Sequence, residues 1–359
     1  MSGGMRGGPV DDRPGILLVA LGAPESLDGV PGFLAAIRRG RPTPPGMVAE
    51  FVERYRQIGG GSPLNRIGRD LARRLEDRME LKGVRVACRY AALLGGPSIE
   101  EGWAALFGAG GAGGICLPLT PFYTPWGVGH YLARIRAVRR ARPERDLMVC
   151  FTGWHGAAGL ARAWARRIRA ASESLSDRWG EPPVLVFSAH SLPDRPDDPA
   201  VPYTTQIDAL RARILKELPP HRTVMAYQSV GRADGPWLGP AVESVTDDLL
   251  RETHAPVLLV PIGFIADNLE ILYDLDIALR RRLGVEARRL YRVPSFNADD
   301  DLVSTLEEVV RPALAAVSGG RGTNRGPGPS LRPGGAEGGR RGLNGREPVA
   351  SWLGSAGER

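Results

Sequence analysis

Val184-Leu185-Val186-Phe187-Ser188-Ala189-His190-Ser191-Leu192-Pro193 decides how this chain folds. Its aliphatic residues run without alternation, as in a parallel-sheet strand covered on both faces. Pro193 stops the run. His190 stands at its end, and α/β sheets bind ligands outside the carboxyl ends of their strands. A second stretch repeats the design: Val257-Leu258-Leu259-Val260 leads into Pro261-Ile262-Gly263-Phe264-Ile265-Ala266-Asp267-Asn268-Leu269-Glu270. If both strands share a sheet, an imidazole and a carboxylate meet at the mouth of one cleft. Such a pair ligates a divalent metal or moves protons.

Working outward, eight strand-like runs punctuate the chain, at 15–22, 84–91, 114–121, 146–153, 183–190, 222–229, 256–264 and 287–295. Helix-like segments lie between them, among them 68–81, 129–141, 160–175, 205–217, 241–253 and 268–283, and a last one covers 299–317. Strand alternating with helix predicts parallel sheets. The strands divide four and four about a polar stretch at 172–183. The expected fold class is α/β: two similar domains, each with a four-stranded parallel sheet flanked by helices, and a cleft between them. The expected boundaries are a flexible N-terminus at 1–14, domains at 15–175 and 176–317, and a disordered Gly/Pro/Arg-rich tail at 318–359.

The chain has 359 residues and a net charge of +7, but that charge is uneven. Residues 318–359 hold seven Arg and three Glu, a net of +4 in a stretch with no hydrophobic period. Such a segment buries too little apolar surface to order itself, and no nucleic-acid partner is expected. No apolar run reaches the roughly 20 residues of a membrane helix. The glycine-rich start lacks the apolar segment of a secretory signal, so the cytoplasm is the expected compartment. Cys88, Cys116 and Cys150 lie in strand-like runs without a Cys-x-x-Cys pair. They are expected to be small buried apolar residues in a reducing compartment.

Several candidate motifs carry competing readings. Gly108-Ala109-Gly110-Gly111-Ala112-Gly113 matches the dinucleotide fingerprint, but it leads into a strand instead of opening a helix, so nucleotide binding is rejected. Gly59-Gly60-Gly61-Ser62 lacks the lysine of a phosphate loop and reads as a tight turn. Arg38-Arg39-Gly40-Arg41 is either a solvated helix end or a grip for carboxylates. Glu270 and Asp274 share a helix face at i, i+4, with Asp276 half a turn on, and their flanks are apolar. His130, His155, His221 and His254 lack comparable settings.

Together these motifs resemble the ferrochelatases. The likeness is carried by Ile37-Arg38-Arg39-Gly40-Arg41, by Arg54-Tyr55-Arg56-Gln57-Ile58-Gly59-Gly60-Gly61-Ser62-Pro63-Leu64, and by the His190 segment. It continues through Tyr227-Gln228-Ser229-Val230-Gly231, Gly235-Pro236-Trp237-Leu238-Gly239-Pro240 and the Glu270 segment, and spans about 15–317. The resemblance implies two Rossmann-like domains around a porphyrin cleft and insertion of Fe²⁺ into a porphyrin, with coproporphyrin III ahead of protoporphyrin IX. It implies His190 as proton acceptor and metal ligand, and Glu270 as metal-guiding and proton-relay carboxylate, with Asp274 as an accessory metal residue. Arg38, Arg54, Tyr55, Ser62 and Tyr131 match residues that hold the porphyrin. Fe²⁺ and porphyrin are then substrates, with no resident cofactor, no iron–sulfur cluster, no transmembrane segment and a monomer expected.

Departures from the family pattern are Asn268 in place of a histidine, Leu21 where some relatives place an iron-ligating tyrosine, and Ala278 in place of an acid. Two other readings stand beside the first: a cobalt or nickel chelatase of another tetrapyrrole, and a non-catalytic haem or porphyrin carrier.

Overall fold

The computed structural model describes residues 13–107, 113–140, 148–194, 203–231 and 235–319. Most of the expected flexible N-terminus, the glycine run up to residue 112 and the tail from residue 320 lie outside the described residues.

All eight expected strands form, each shorter than its apolar run. β1 (Gly15–Ala20), β2 (Ala87–Ala92), β3 (Gly114–Pro118) and β4 (Met148–Cys150) make one parallel sheet in the order β2-β1-β3-β4. β5 (Val184–His190), β6 (Thr223–Gln228), β7 (Val257–Val260) and β8 (Leu290–Arg292) make a second, β6-β5-β7-β8. Both wind the same way. The chain steps to one side of the first strand, then returns to its other side. The order therefore reverses between β1 and β3 and again between β5 and β7, and such reversals open the crevice where α/β proteins bind ligands. His190 ends β5 and the Glu270 segment follows β7, so both lie at the reversal of the second sheet.

The helices are α1 (Gly29–Ile37), α2 (Pro45–Gln57), α3 (Leu64–Leu81), α4 (Ile99–Phe107), α5 (Val128–Arg140), α6 (Ala158–Trp179), α7 (Tyr203–Lys216), α8 (Val242–Glu252), α9 (Arg280–Leu283) and α10 (Asp300–Gly319). Residue 175, the expected end of the first domain, lies within α6, which closes at Gly180 in a left-handed conformation. Glu270–Leu279 is a π-helix running into α9 rather than the ordinary helix its spacing predicts. π-Helical turns are rare and concentrate at functional sites.

One hydrophobic core joins the two sheets. It runs from Ile16 and Leu18 of β1 through Leu71, Leu75 and Trp164 to Leu185 and Phe187 of β5. α10 returns across the molecule to pack on α3 and α6. Its buried Glu307 accepts hydrogen bonds from Arg78 at 2.6 Å, Lys82 at 2.8 Å and Arg311 at 2.7 Å. Cys88 and Cys116 are buried as expected, but Cys150 is exposed. Among the described residues its strand, Met148–Cys150, pairs on one side only, at the edge of the first sheet.

Candidate active site

The carboxyl end of β5 is built so that its last residues face the cleft. Gly263, just past β7, donates its N–H to the Ser188 carbonyl at 3.2 Å. A Cβ on Gly263 would come within 2.8 Å of the Ala189 backbone, so only glycine lets the Glu270 segment pack this closely on the strand bearing His190. Buried Gln228, ending β6, ties the parts together. Its side-chain oxygen accepts from Ser188 at 2.8 Å, and its amide donates to the Glu270 carbonyl at 3.1 Å.

His190 has its Nδ1 2.5 Å from the Ser191 carbonyl. A carbonyl only accepts, so Nδ1 carries the hydrogen and Nε2 carries the lone pair. Burial holds this imidazole below its ordinary pKa, although the Ser191 carbonyl and the Asp274 charge pull the other way. His190 therefore stays neutral, ready to take a proton or bind a cation. The Phe264 ring lies 6.2 Å from its own.

Glu270 opens the π-helix. Burial raises its pKa, opposed by its own backbone N–H and by Arg54. Asp274 is raised to about 6, chiefly by burial, with a smaller upward push from Glu270 and a downward pull from its Ser229 hydrogen bond. Asp276 points elsewhere, into a two-pronged pair with Arg292 at 2.7 Å, and belongs to the scaffold. Asn268 stands where the resemblance expects histidine. Its Oδ1 accepts the Ile271 N–H at 3.0 Å, so it caps the start of the helix that carries both acids.

The other wall comes from the first half of the chain. Val30 and Leu34 of α1 and Tyr55 of α2 cluster with Leu269, with Phe51 and Tyr273 packed against them. This brings Arg54 over the acidic helix. Its guanidinium reaches Glu50 at 2.5 Å and Asp274 at 3.8 Å, and it stacks between Phe51 and Tyr273 at 5.2 and 5.1 Å. Tyr55 is buried beside Glu270, and that burial, with the nearby carboxylate, pushes its hydroxyl pKa up.

The structure thus gathers His190, Glu270, Asp274, Arg54 and Tyr55. Arg38 lies apart at the end of α1, its Nε donating to the Pro42 carbonyl at 3.1 Å. Ser62 is buried in the turn before α3, its N–H on the Pro24 carbonyl at 2.8 Å. Tyr131 is 5% exposed within the core under α4 and α5. Gln228 and Ser229 belong to the site, but the sequence reading gave them no role. The signal available was a glutamine and a serine ending a strand. Among the described residues, no three His, Cys, Asp or Glu side chains converge closely enough to hold an ion. No helix among them is long and apolar enough to cross a membrane.

Two like-wound parallel sheets with an imidazole and paired acids at the reversal of the second form the architecture of a metal chelatase. SirB from Bacillus subtilis, solved with Fe3+, superposes with a TM-score of 0.53 over 86% of this chain and 98% of that one, at 14% identity. The family model described as Ferrochelatase matches residues 13–314. Coproporphyrin III ferrochelatase of Geobacillus kaustophilus is 31% identical, covering 84% of this chain and 96% of that protein. Ferrochelatase of Deinococcus radiodurans is 29% identical over 85% of this chain and 97% of that protein. The chain belongs to the ferrochelatase family, enzymes that insert metal into a porphyrin.

Proposed function

We propose that the chain inserts Fe²⁺ into coproporphyrin III, with His190 taking the pyrrole protons and Glu270 and Asp274 guiding the metal and relaying protons outward. The observation that carries this reading is the His190 tautomer. With Nδ1 on the Ser191 carbonyl, Nε2 is a neutral base near Asp274, whose carboxyl, like that of Glu270 on the same helix face, has a raised proton affinity.

Insertion exchanges two pyrrole protons for one dication, so the site must take in charge and release protons in turn. A neutral imidazole accepts a proton without first losing one. Acids of raised pKa pass protons near neutrality, which carboxylates of ordinary pKa do poorly. Three converging ligands would hold the incoming ion tightly. His190, Glu270 and Asp274 instead act as successive stations. Imidazole with carboxylate suits Fe²⁺ and also admits Zn²⁺, Co²⁺ and Ni²⁺.

The choice of porphyrin rests on the relatives called coproporphyrin III ferrochelatases and on Arg54. Its guanidinium already binds carboxylates at the cleft, and a propionate presents the same group. Arg38, at the end of α1, offers a second guanidinium. Four propionates make more such pairs than two, and one extra charge-assisted bond contributes about 1.5–3 kcal/mol, tenfold or more in kcat/KM.

The test is anaerobic turnover of Fe²⁺ with each porphyrin, in wild type, Arg38→Ala and Arg54→Ala. Coproporphyrin III should be preferred in wild type, and the preference should shrink in both variants. Equal or reversed preference in wild type would remove the substrate assignment.

A further inference from the structure

Cys116 of β3 and Cys150 of β4 stand directly opposite each other in the parallel register. Neighbouring parallel strands lie about 4.8 Å apart, inside the range of Cα separations that a disulfide spans. Residues paired in register point to the same face of a sheet, so the two thiols are neighbours. Cys116 is buried in the core against α4 and α5, whereas Cys150 is open to solvent on the edge strand. Arg136 and Arg139 of α5 act on Cys150 electrostatically. Chelation as proposed above uses neither residue.

We propose that Cys150 is a site of reversible oxidation by hydroperoxides, with Cys116 as its resolving thiol. The cysteine open to solvent sits near cationic side chains and is paired in register with a second, buried thiol, the arrangement in which thiols react as sensors. The neighbouring Cys116 and the two arginines draw the Cys150 thiol pKa down, while Cys150 and burial push that of Cys116 up. Cys150 is therefore the nucleophile and Cys116 the proton donor.

In the first step the Cys150 thiolate attacks a peroxide oxygen. An S–O bond forms and the O–O bond breaks, giving a sulfenic acid and one molecule of water or alcohol. Cys116 then attacks that sulfur. Its proton leaves with the hydroxyl as water, and an S–S bond forms. Two thiols lose two electrons in all, and one peroxide is reduced. Cys88 is an internal control, because it is buried with its thiol pKa raised by that burial and by Glu76.

The test is hydrogen peroxide on the full chain, followed by non-reducing digestion and mass spectrometry. The expected product joins the Cys116 and Cys150 peptides, with Cys88 unmodified, and is reversed by dithiothreitol. In Cys116→Ala, a dimedone adduct should accumulate on Cys150. In Cys150→Ser, loss of the Cys116 thiol should slow about tenfold or more. Sulfinic acid at Cys150 without cross-linking in wild type, or oxidation of Cys88 at the same rate, would overturn the proposal. The wild-type measurement stands even if a variant fails to fold.

Discussion

Ser229 donates its hydroxyl to the Asp274 carboxylate across 2.5 Å, from a backbone held at φ 59°. A non-glycine residue in that left-handed region costs on the order of 1–3 kcal/mol and persists where the surroundings impose it. Here the next strand end, β6, is turned so that a hydroxyl meets the second acid of the π-helix. Ser229 thereby tunes the acid, since its hydrogen bond is the main influence lowering a carboxyl that burial raises to about 6.

Ser229→Ala should therefore move the acid limb of the rate profile to higher pH. Without the hydroxyl, the Asp274 proton is held more tightly and the charged form appears later on titration. The measurement is kcat against pH with Fe²⁺ under anaerobic conditions. An unchanged acid limb would mean that Asp274 ionisation does not govern turnover.

Asp274→Asn should cut turnover and stabilise the fold. The carboxyl titrates near 3.8 when free and near 6 when folded. Between these values the folded chain binds more protons than the unfolded one, so this group's contribution falls as pH rises through that window. Above it the charge is a cost, and its removal should gain roughly 1–3 kcal/mol. Melting temperature in neutral buffer should rise in the variant, and the gain should vanish at acid pH. A melting temperature that falls at neutral pH would show the Arg54 contact outweighing desolvation.

Glu270→Gln should lower kcat far more than it weakens porphyrin binding. The substitution keeps shape and removes charge, so the loss falls on metal delivery and proton exit, steps that ground-state porphyrin binding does not require. The Gln228 bond is to the Glu270 backbone and survives the change. Porphyrin affinity measured by fluorescence quenching should stay within a few-fold of wild type. If affinity fell in step with kcat, Glu270 would be a packing residue.

Sheet placement was legible because buried parallel strands are written as unbroken apolar runs, and the His190 and Glu270 segments lie on two of them. Those runs overstate strand length, as at 256–264, where pairing ends at Val260, because loops that pack under the sheets are apolar too. The π-helix was not legible: Glu270 and Asp274 share a face in either helix type, so spacing does not separate them. Arg54 over Asp274 was equally hidden, since no local pattern reports that α2 packs on a segment more than two hundred residues away. Asn268 looked like a lost histidine, and its capping of the π-helix shows only in three dimensions.

Glu307→Gln should be the most damaging of these changes to stability, and its effect should depend on acidity. Burial alone would raise this carboxyl. Hydrogen bonds from Lys82, Arg311 and Arg78 override burial and hold it at about 2. The folded pKa thus lies below the unfolded value of 4.5. The contribution is complete above 4.5 and is lost as pH falls from there toward about 2. Glu307 is also the point where α10 grips α3, since Arg78 lies in α3, Lys82 directly follows its last residue, and both are far from Glu307 in sequence. Removing the charge leaves cations gathered around a neutral amide. Breaking a buried pair costs 3–5 kcal/mol, and partial exposure of the cations brings the expectation down to about 2–4. Urea unfolding at neutral pH measures the loss. Repeated at progressively lower pH, the gap between wild type and variant should narrow below 4.5. A gap independent of pH would assign the loss to packing instead of charge.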